Sequence, residues 1–188
     1  MKLNLGAGNQ PYEGYIGVSL SGYAADVIHD LSDPLPYPDS SVEEIFANHL
    51  LEHFPLWQIP HLLHDWYRVL QDRGILWGFV PDGPTIANLY LEAVTQDDWR
   101  LRSICLTNFL GEYHANEYAG PGQIHYAIYD KALLELVLAR AGFSQINVAE
   151  YRFSATDHRL GFVGRKGVYP VAPIDSLGAG LVFAGGQP

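Results

Sequence analysis

Leu3-Asn4-Leu5-Gly6-Ala7-Gly8-Asn9, near the start of the sequence, joins a short apolar strand to a Gly-x-Gly turn. Glycines let the backbone turn sharply and approach a ligand closely, with N–H groups facing that ligand. A dinucleotide site would have a third glycine at position 11, where this sequence has Pro11. Only seven residues separate Gly8 from Ile16, too few for a full crossover helix. The stretch therefore predicts ligand binding at the end of a first strand, and it disfavours a nucleotide-dependent oxidoreductase, an alternative that NAD binding would revive.

Short apolar segments punctuated by Gly, Pro and Asp continue outward from this turn. Strands are predicted near residues 3–5, 15–19, 26–29, 44–47 and 74–80, and two late strands near 143–151 and 160–165. Helices are predicted over 60–70 and 130–141, where apolar residues recur at helical spacing, and Gly142 ends the second one. This alternation predicts an α/β fold with a mainly parallel sheet, an antiparallel edge and flanking helices.

Composition sets the broad class of the protein. The 188 residues are 48% hydrophobic and 17% charged, which fits one globular domain that buries roughly 70% of its unfolded surface. The net charge of −10 argues against nucleic acid as a partner, because phosphate binding needs clustered Lys and Arg. The single cysteine, Cys105, excludes an internal disulfide. With neither a signal-peptide pattern nor an apolar run of membrane-spanning length, we expect a cytoplasmic protein with no membrane contact.

Two segments stand apart from this pattern. Residues 111–123 are rich in Gly, Tyr and His and are predicted to form a loop or lid before the last helix. Residues 167–188 contain one charged side chain, Asp175, among many Gly, Pro and Ala. We therefore divide the chain into a domain over 1–166 and a Gly/Pro-rich apolar tail over 167–188. The tail is either disordered or packs its apolar side chains on a partner subunit, in which case the protein is a homodimer.

Further motifs follow the glycine turn in a fixed order. They are Asp-Val-Ile-His-Asp-Leu at 26–31, Asp-Pro-Leu-Pro-Tyr-Pro-Asp-Ser-Ser-Val-Glu-Glu-Ile at 33–45, Asn-His-Leu-Leu-Glu-His-Phe at 48–54, Arg-Val-Leu at 68–70 and Val-Pro-Asp at 80–82. Together they resemble the class I S-adenosylmethionine-dependent methyltransferases. More narrowly, they resemble a short bacterial-type group of these enzymes in which the helix after the first strand is reduced to a turn. The resemblance covers about residues 2–166 and implies a Rossmann-like fold with S-adenosylmethionine as cofactor.

The same resemblance implies which residues bind the cofactor. Gly6, Ala7 and Gly8 would contact its amino-acid end, Asp30 and Leu31 would flank the adenine, and Asn48 and His49 would lie near the methionine and the transferred methyl.

One position departs from the family pattern. The family has an acidic residue at the end of the second strand, where it accepts both ribose hydroxyls. This chain has Ser19 there, followed by Leu20. A hydroxyl does not reproduce a bidentate carboxylate, so we expect cofactor affinity to fall roughly tenfold or more unless Asp26 or a water compensates.

Histidines supply the candidate catalytic groups. His49, by its position after the fourth strand, and His125, in Gly122-Gln123-Ile124-His125-Tyr126, are candidates for a base that takes a proton from the acceptor. His114, in the predicted lid, is a further candidate. The alternative for each is a structural or surface histidine.

His49-Leu50-Leu51-Glu52-His53 also matches the H-x-x-E-H pattern of inverted zinc peptidases. On a helix the two imidazoles would share one face and bind one metal, with Glu52 acting on a water. Phe54-Pro55 ends any helix almost at once, whereas a peptidase needs a long supporting helix. We therefore expect no metal site, and a zinc hydrolase stays as an alternative that stoichiometric zinc would support.

Taken together, the sequence predicts an S-adenosylmethionine-dependent methyltransferase that acts on a small-molecule or carbohydrate-like acceptor. The competing hypothesis is a catalytically weak or inactive module that binds the cofactor or a partner. Ser19 and the apolar tail motivate that second hypothesis.

Overall fold

The structure, a computed structural model, describes residues 1–22, 24–111 and 124–167. Within them, strands β1 (Lys2–Leu5), β2 (Ile16–Ser19), β3 (Val27–Ile28), β4 (Val42–Asn48), β5 (Leu70–Pro81), β6 (Phe143–Arg152) and β7 (His158–Lys166) form one sheet. The helices are α1 (Ile59–Val69), α2 (Gly83–Thr95), α3 (Trp99–Leu110) and α4 (Lys131–Arg140), and a single 3₁₀ turn covers Leu51–His53.

The strand order is β3-β2-β1-β4-β5-β7-β6. The first five strands in this order pair in parallel, whereas β7 pairs antiparallel with both β5 and β6. The prediction of a mainly parallel sheet with an antiparallel edge and flanking helices is therefore confirmed. The reversed strand is β7, second from the edge. All seven predicted strands are present, although β3 is shorter than predicted and β4 and β5 are longer.

One face of the sheet carries the main hydrophobic core. Alternate residues of the central strands, including Leu3, Ile45 and Leu76, are fully buried there. They belong to the same cluster as Trp66 of α1 and Leu134 of α4. Both helices were predicted from their apolar spacing, and their bounds agree with the prediction to within about one residue.

The opposite face of the sheet is covered by aromatic side chains where the first crossover helix is missing. Tyr12, in the turn after the glycine loop, packs on Phe46 with ring centroids 4.9 Å apart. Phe46 packs in turn on Trp77 at 4.2 Å, and Phe79 contacts Tyr151 at 5.6 Å. Such pairs bury a large apolar area. The seven residues between Gly8 and Ile16 therefore cover this face with rings instead of a helix.

The sequence analysis missed helices α2 and α3, which form a hairpin inserted between β5 and α4. Each begins at an aspartate whose carboxylate accepts backbone N–H groups of the first turn: Asp82 from Thr85, and Asp98 from Arg100 and Leu101. The buried residues of this hairpin lie outside the main core cluster.

The predicted lid and tail fall largely on parts of the chain that the structure does not describe. Residues 112–123, with His114, and residues 168–188 lie outside the described residues, so the division into domain and tail stays a prediction. Across the described part of the chain, no helix is both long enough and apolar enough to cross a membrane.

Candidate active site

The predicted cofactor residues all lie at one edge of the sheet. Strands β3, β2, β1 and β4 are parallel neighbours, so their carboxyl ends meet at the same edge. The predicted residues follow or end these strands: Gly6, Ala7 and Gly8 after β1, Ser19 and Leu20 at β2, Asp30 and Leu31 after β3, and Asn48 and His49 at β4. From β1 the chain first adds β2 and β3 on one side and then β4 and β5 on the other, so β1 lies at the switch point of the strand order. Open α/β sheets bind ligands at such a switch point.

The glycine turn needs its glycines. Gly6 and Gly8 have φ values of 71° and 50°, in the left-handed region that favours glycine. A Cβ added to Gly6 would lie 2.9 Å from Leu50 Cδ1, so this turn packs directly on the segment after β4.

The loop after β2 closes over the same turn. The Ala24 N–H donates to the Gly8 carbonyl at 3.0 Å. Gly22 has a φ of 115°, and a Cβ there would lie 2.0 Å from the Gly8 oxygen. The backbone of this loop and the glycine turn thus approach each other more closely than any side chain would allow.

Asn48 carries an unsatisfied polar atom at this edge. Its side-chain Oδ1 is buried and has no hydrogen-bond partner. A buried acceptor without a donor is unfavourable, so such an atom indicates a ligand or water donor. An amine or hydroxyl of a bound cofactor would supply that donor, and the residues at this edge therefore fit the predicted ligand.

The end of β2 shows how the chain uses Asp26, the residue that could compensate for Ser19. Asp26 Oδ2 accepts the Gly17 N–H at 2.7 Å, and the Asp26 N–H donates to the Gly17 carbonyl at 2.8 Å. This carboxylate oxygen is therefore engaged with the backbone of β2. Ser19 itself is 9% exposed, whereas Leu20 is 58% exposed beside it.

A cavity of about 230 Å³ adjoins the predicted adenine side. Leu31 contributes to its wall, together with Trp57 before α1 and His61 in its first turn. Arg68 fixes the segment that follows the lining residues 31–34, because it donates to the carbonyls of Leu35 and Tyr37. None of the lining residues belongs to the glycine turn, so the cavity extends the site beyond Leu31.

His49 is held in one orientation by a buried carboxylate. Its Nδ1 lies 3.0 Å from Glu52 Oε1, and Glu52 is fully buried. The His49 backbone has a φ of 49° and donates its N–H to the Phe79 carbonyl at 2.9 Å. A non-glycine residue in this region is uncommon and often functional. With Nδ1 as the donor to Glu52, the Nε2 atom is the basic nitrogen.

Glu52 also joins His49 to the second predicted catalytic histidine. Glu52, His53 and His125 each offer one metal-ligating atom, and these atoms lie within 4.8 Å of one another. The rings of His53 and His125 are edge to face, with centroids 4.8 Å apart. The carbonyl of Glu52 accepts the Tyr126 N–H at 2.7 Å, which fixes the segment carrying His125 against the 3₁₀ turn. Burial lowers the pKa of His53 below its usual range.

The turn between β6 and β7 brings an ion pair towards His49. Arg159 donates two hydrogen bonds of 2.7 Å to Asp157. These bonds hold the pKa of Asp157 below its usual range, and the nearby charge of His49 acts in the same direction. Neither residue was predicted, because nothing in the local sequence indicates that this hairpin turn reaches the end of β4.

A comparison with known families gives an independent result. Residues 16–78 match the family model described as "Methyltransferase domain". This segment contains β2 to β4, α1 and most of β5, and with them Ser19, Asn48 and His49. No curated protein matches the chain at the level of sequence.

Solved structures show the same fold at low sequence identity. A SAM-dependent methyltransferase from Methanosarcina mazei has a TM-score of 0.59 and 15% identity, over 89% of this chain and 92% of that one. A SAM-dependent methyltransferase from Archaeoglobus fulgidus has a TM-score of 0.60 and 14% identity, over 88% and 85%. The Burkholderia thailandensis 1,6-didemethyltoxoflavin-N1-methyltransferase, solved with S-adenosylhomocysteine, has a TM-score of 0.59 and 16% identity, over 88% and 70%.

Proposed function

We propose that the chain is a class I S-adenosylmethionine-dependent methyltransferase that acts on a small-molecule or carbohydrate-like acceptor, on the support of the methyltransferase-domain match over residues 16–78 and of a fold shared with solved methyltransferases. The observation that carries the proposal is the His49–Glu52 pair, which lies at the carboxyl end of β4 next to the predicted cofactor residues. We place the whole activity in a domain over residues 1–166.

The cofactor-binding residues are proposed to be those named from the sequence. Gly6, Ala7 and Gly8 form the turn that would accommodate the amino-acid end, and Asn48 Oδ1 would accept a hydrogen bond from it. When bound, S-adenosylmethionine would supply a methyl group on a sulfonium, which the acceptor takes in line as the S–CH3 bond breaks and S-adenosylhomocysteine leaves. Much of the catalysis of such a step is positioning and exclusion of water.

His49 is proposed as the general base. Its Nδ1–H donates to Glu52, so its Nε2 is free to take the proton that an acceptor hydroxyl or amine loses as it is methylated. The buried Glu52 carboxylate then stabilises the imidazolium, as the acidic member of a catalytic triad does. His125 reaches the same carboxylate from the other side and remains the second candidate from the sequence.

The net acidic charge and the exposed aromatic side chains support the proposed type of acceptor. With 21 acidic and 11 basic residues, the chain repels a nucleic-acid backbone. The aromatic residues Tyr151 and Phe153, 48% and 55% exposed, lie near Phe79 at the end of β5 and offer aromatic surface to a sugar or another flat molecule, with one face of Phe153 covered by Arg159 at 4.3 Å.

A module that binds the cofactor without efficient turnover is the second candidate. The observation that favours it is the end of β2, where Ser19 replaces the acidic residue and the Asp26 Oδ2 atom is engaged with Gly17. Cofactor binding without methyl transfer to any acceptor would support this candidate.

A homodimer and a cytoplasmic location remain predictions. Light scattering coupled to size-exclusion chromatography of the full chain measures the first. Fractionation of the source cells measures the second.

The test of the proposal is methyl transfer. The full chain is incubated with S-adenosylmethionine labelled on its methyl group and with fractions of a metabolite pool, and labelled product is separated and counted. His49→Asn keeps a residue that tolerates a positive φ but removes the base. We expect the variant to transfer methyl roughly 100- to 10,000-fold more slowly, with cofactor affinity changed only a few-fold. Equal rates for His49→Asn and wild type would remove His49 from the mechanism.

A further inference from the structure

Glu52 has a buried oxygen that the His49 contact does not use. Glu52 Oε1 is 3.0 Å from His49 Nδ1, whereas Oε2 is buried and has no hydrogen-bond partner. The whole residue is inaccessible to solvent. A buried carboxylate oxygen without a donor is rare in native proteins and points to a water or cation that binds there.

Two imidazoles lie close to this carboxylate. The ligating atoms of Glu52, His53 and His125 lie within 4.8 Å of one another. Ligands on a tetrahedral zinc ion are roughly 3.3 Å apart, given bonds of about 2.0–2.1 Å. Contraction by up to about 1.5 Å would therefore close the three atoms around one ion, and a small shift of the partly exposed His125 side chain would contribute to that movement.

Each of the three side chains also has the outer partner that a metal ligand needs. His53 Nδ1 lies 3.1 Å from the Ile124 carbonyl, and His125 Nδ1 lies 2.8 Å from the Asn108 carbonyl. A backbone carbonyl at Nδ1 fixes that nitrogen as the donor and leaves the Nε2 lone pair free to bind a metal. His49 does the same for Glu52, because it occupies Oε1 and leaves Oε2 free.

We propose that Glu52, His53 and His125 form a site for a divalent transition-metal ion, beside the proposed base His49. Two imidazole nitrogens and one carboxylate oxygen select zinc or a similar ion over magnesium or calcium, which prefer oxygen ligands. Three protein ligands leave at least one coordination position for a water or for an acceptor oxygen. This set differs from the peptidase hypothesis, in which His49 and His53 were the ligands and Glu52 acted on a water.

The site joins distant parts of the chain. Glu52 and His53 come from the 3₁₀ turn after β4, His125 precedes α4, and the carbonyl of Asn108 at the end of α3 orients His125. The spacing of these residues in the sequence does not indicate a metal site, because 71 positions separate His53 from the Ile124 carbonyl that holds it.

The test uses Zn²⁺ alone and does not depend on methyl transfer. The full chain, without a histidine tag, is stripped with a chelator and titrated with Zn²⁺ by calorimetry, and bound zinc is measured by mass spectrometry after gel filtration. We expect one equivalent per chain, retained in the presence of excess Mg²⁺. His125→Ala and Glu52→Gln should each weaken binding by roughly 100-fold or more, beyond the 10–100-fold typical of losing an outer partner. His61→Ala, an exposed histidine of α1 outside the cluster, should bind as wild type does.

Melting without metal checks that each variant is folded. His125 is only partly buried, so His125→Ala decides the question even if Glu52→Gln does not fold. The proposal is wrong if the wild type binds no zinc, or if His125→Ala binds it as tightly as the wild type. A wild type that binds no zinc would overturn this site and not the proposed methyl transfer, and a wild type that binds zinc but transfers no methyl would do the reverse.

Discussion

At the level of single residues, Ser19 is the departure that we propose governs cofactor affinity most directly. It is the last residue of β2, and we expect this position to face the two ribose hydroxyls that an acidic side chain would accept. A hydrogen bond to a charged group contributes roughly 1.5–3 kcal/mol. Ser19→Asp should therefore tighten S-adenosylhomocysteine binding roughly 10- to 100-fold, measured by calorimetry.

The matched control adds the same charge at Ser103, an exposed position of α3. Ser103→Asp should leave the affinity unchanged. If Ser19→Asp has no more effect than Ser103→Asp, residue 19 does not face the ribose.

Residues differ in how far the sequence predicts their role. Gly6 and Gly8 could be identified because only glycine readily adopts their positive φ in a turn after a strand. Glu52 and His53 could be seen as a motif, but not as partners of His125. Their proximity depends on the Tyr126 N–H that donates to the Glu52 carbonyl, a contact between distant parts of the chain.

At the level of elements, the loop after β2 and the glycine turn act as one unit. Gly22→Ala places a Cβ 2.0 Å from the Gly8 oxygen, so the loop must move away from the turn. Gly14 is the matched control, because its φ is also positive at 83° but nothing lies within 4 Å of an added Cβ. Gly14→Ala should lose about 1–2 kcal/mol in the free energy of unfolding for the left-handed backbone, and Gly22→Ala should lose more because its Cβ also collides with Gly8.

Only Gly22→Ala should also weaken S-adenosylhomocysteine binding. The expected loss of roughly 1.4 kcal/mol or more in binding free energy corresponds to a tenfold or greater rise in Kd. Calorimetry on the two folded variants makes the comparison. Equal affinities would mean that the loop after β2 does not shape the cofactor site.

The aromatic face contains a carboxylate whose ionisation stabilises the sheet. Burial alone would raise the pKa of Glu44, but hydrogen bonds from Lys2, Tyr15 and Trp77 outweigh it and hold the pKa below its usual range. The folded-state pKa is thus below the unfolded value of about 4.3. The stabilisation is present above that pH and is lost as the pH falls through the folded-state pKa.

Glu44→Gln should therefore lower the free energy of unfolding at pH 7 by roughly 1–3 kcal/mol, and the difference from wild type should shrink as the pH falls towards 3. Urea titrations across this range give the values. Glu43→Gln removes a more exposed ion pair with the N-terminal amine. It should lower the free energy of unfolding by less than about 1 kcal/mol at pH 7. If the difference in the free energy of unfolding between wild type and Glu44→Gln does not change with pH, the ionised Glu44 carboxylate is not the source of the stabilisation.

Elements with one apolar face were predictable, and the inserted hairpin was not. Helices α1 and α4 bury regularly spaced residues against the sheet, so their periodicity is visible in the sequence. Helix α3 buries Cys105 alone among its residues, and Trp99 and Leu110 at its two ends are 69% and 62% exposed. Its apolar side chains do not form one stripe, so the sequence of this helix lacks the apolar spacing from which the other two helices were predicted. The caps Asp82 and Asp98 were the remaining clues.

For the molecule as a whole, the order of strands explains how the proposed site residues come together. The switch point at β1 brings the ends of four parallel strands together, and the aromatic rings replace the missing crossover helix. A mainly parallel sheet with an antiparallel edge could be predicted from the sequence, whereas the coupling of α3 to His125 depends on contacts between distant residues.

The central claim is that this edge of the sheet binds S-adenosylmethionine, and thermal melting of the full chain with and without the cofactor tests it most directly. A ligand at a hundredfold above its Kd stabilises a protein by about 2.7 kcal/mol. For a chain of 188 residues this should raise the melting temperature by roughly 5–11 °C. Ser19→Asp should enlarge the shift at a fixed ligand concentration. No shift with millimolar S-adenosylmethionine or S-adenosylhomocysteine, for either wild type or Ser19→Asp, would contradict cofactor binding and with it the proposed methyl transfer.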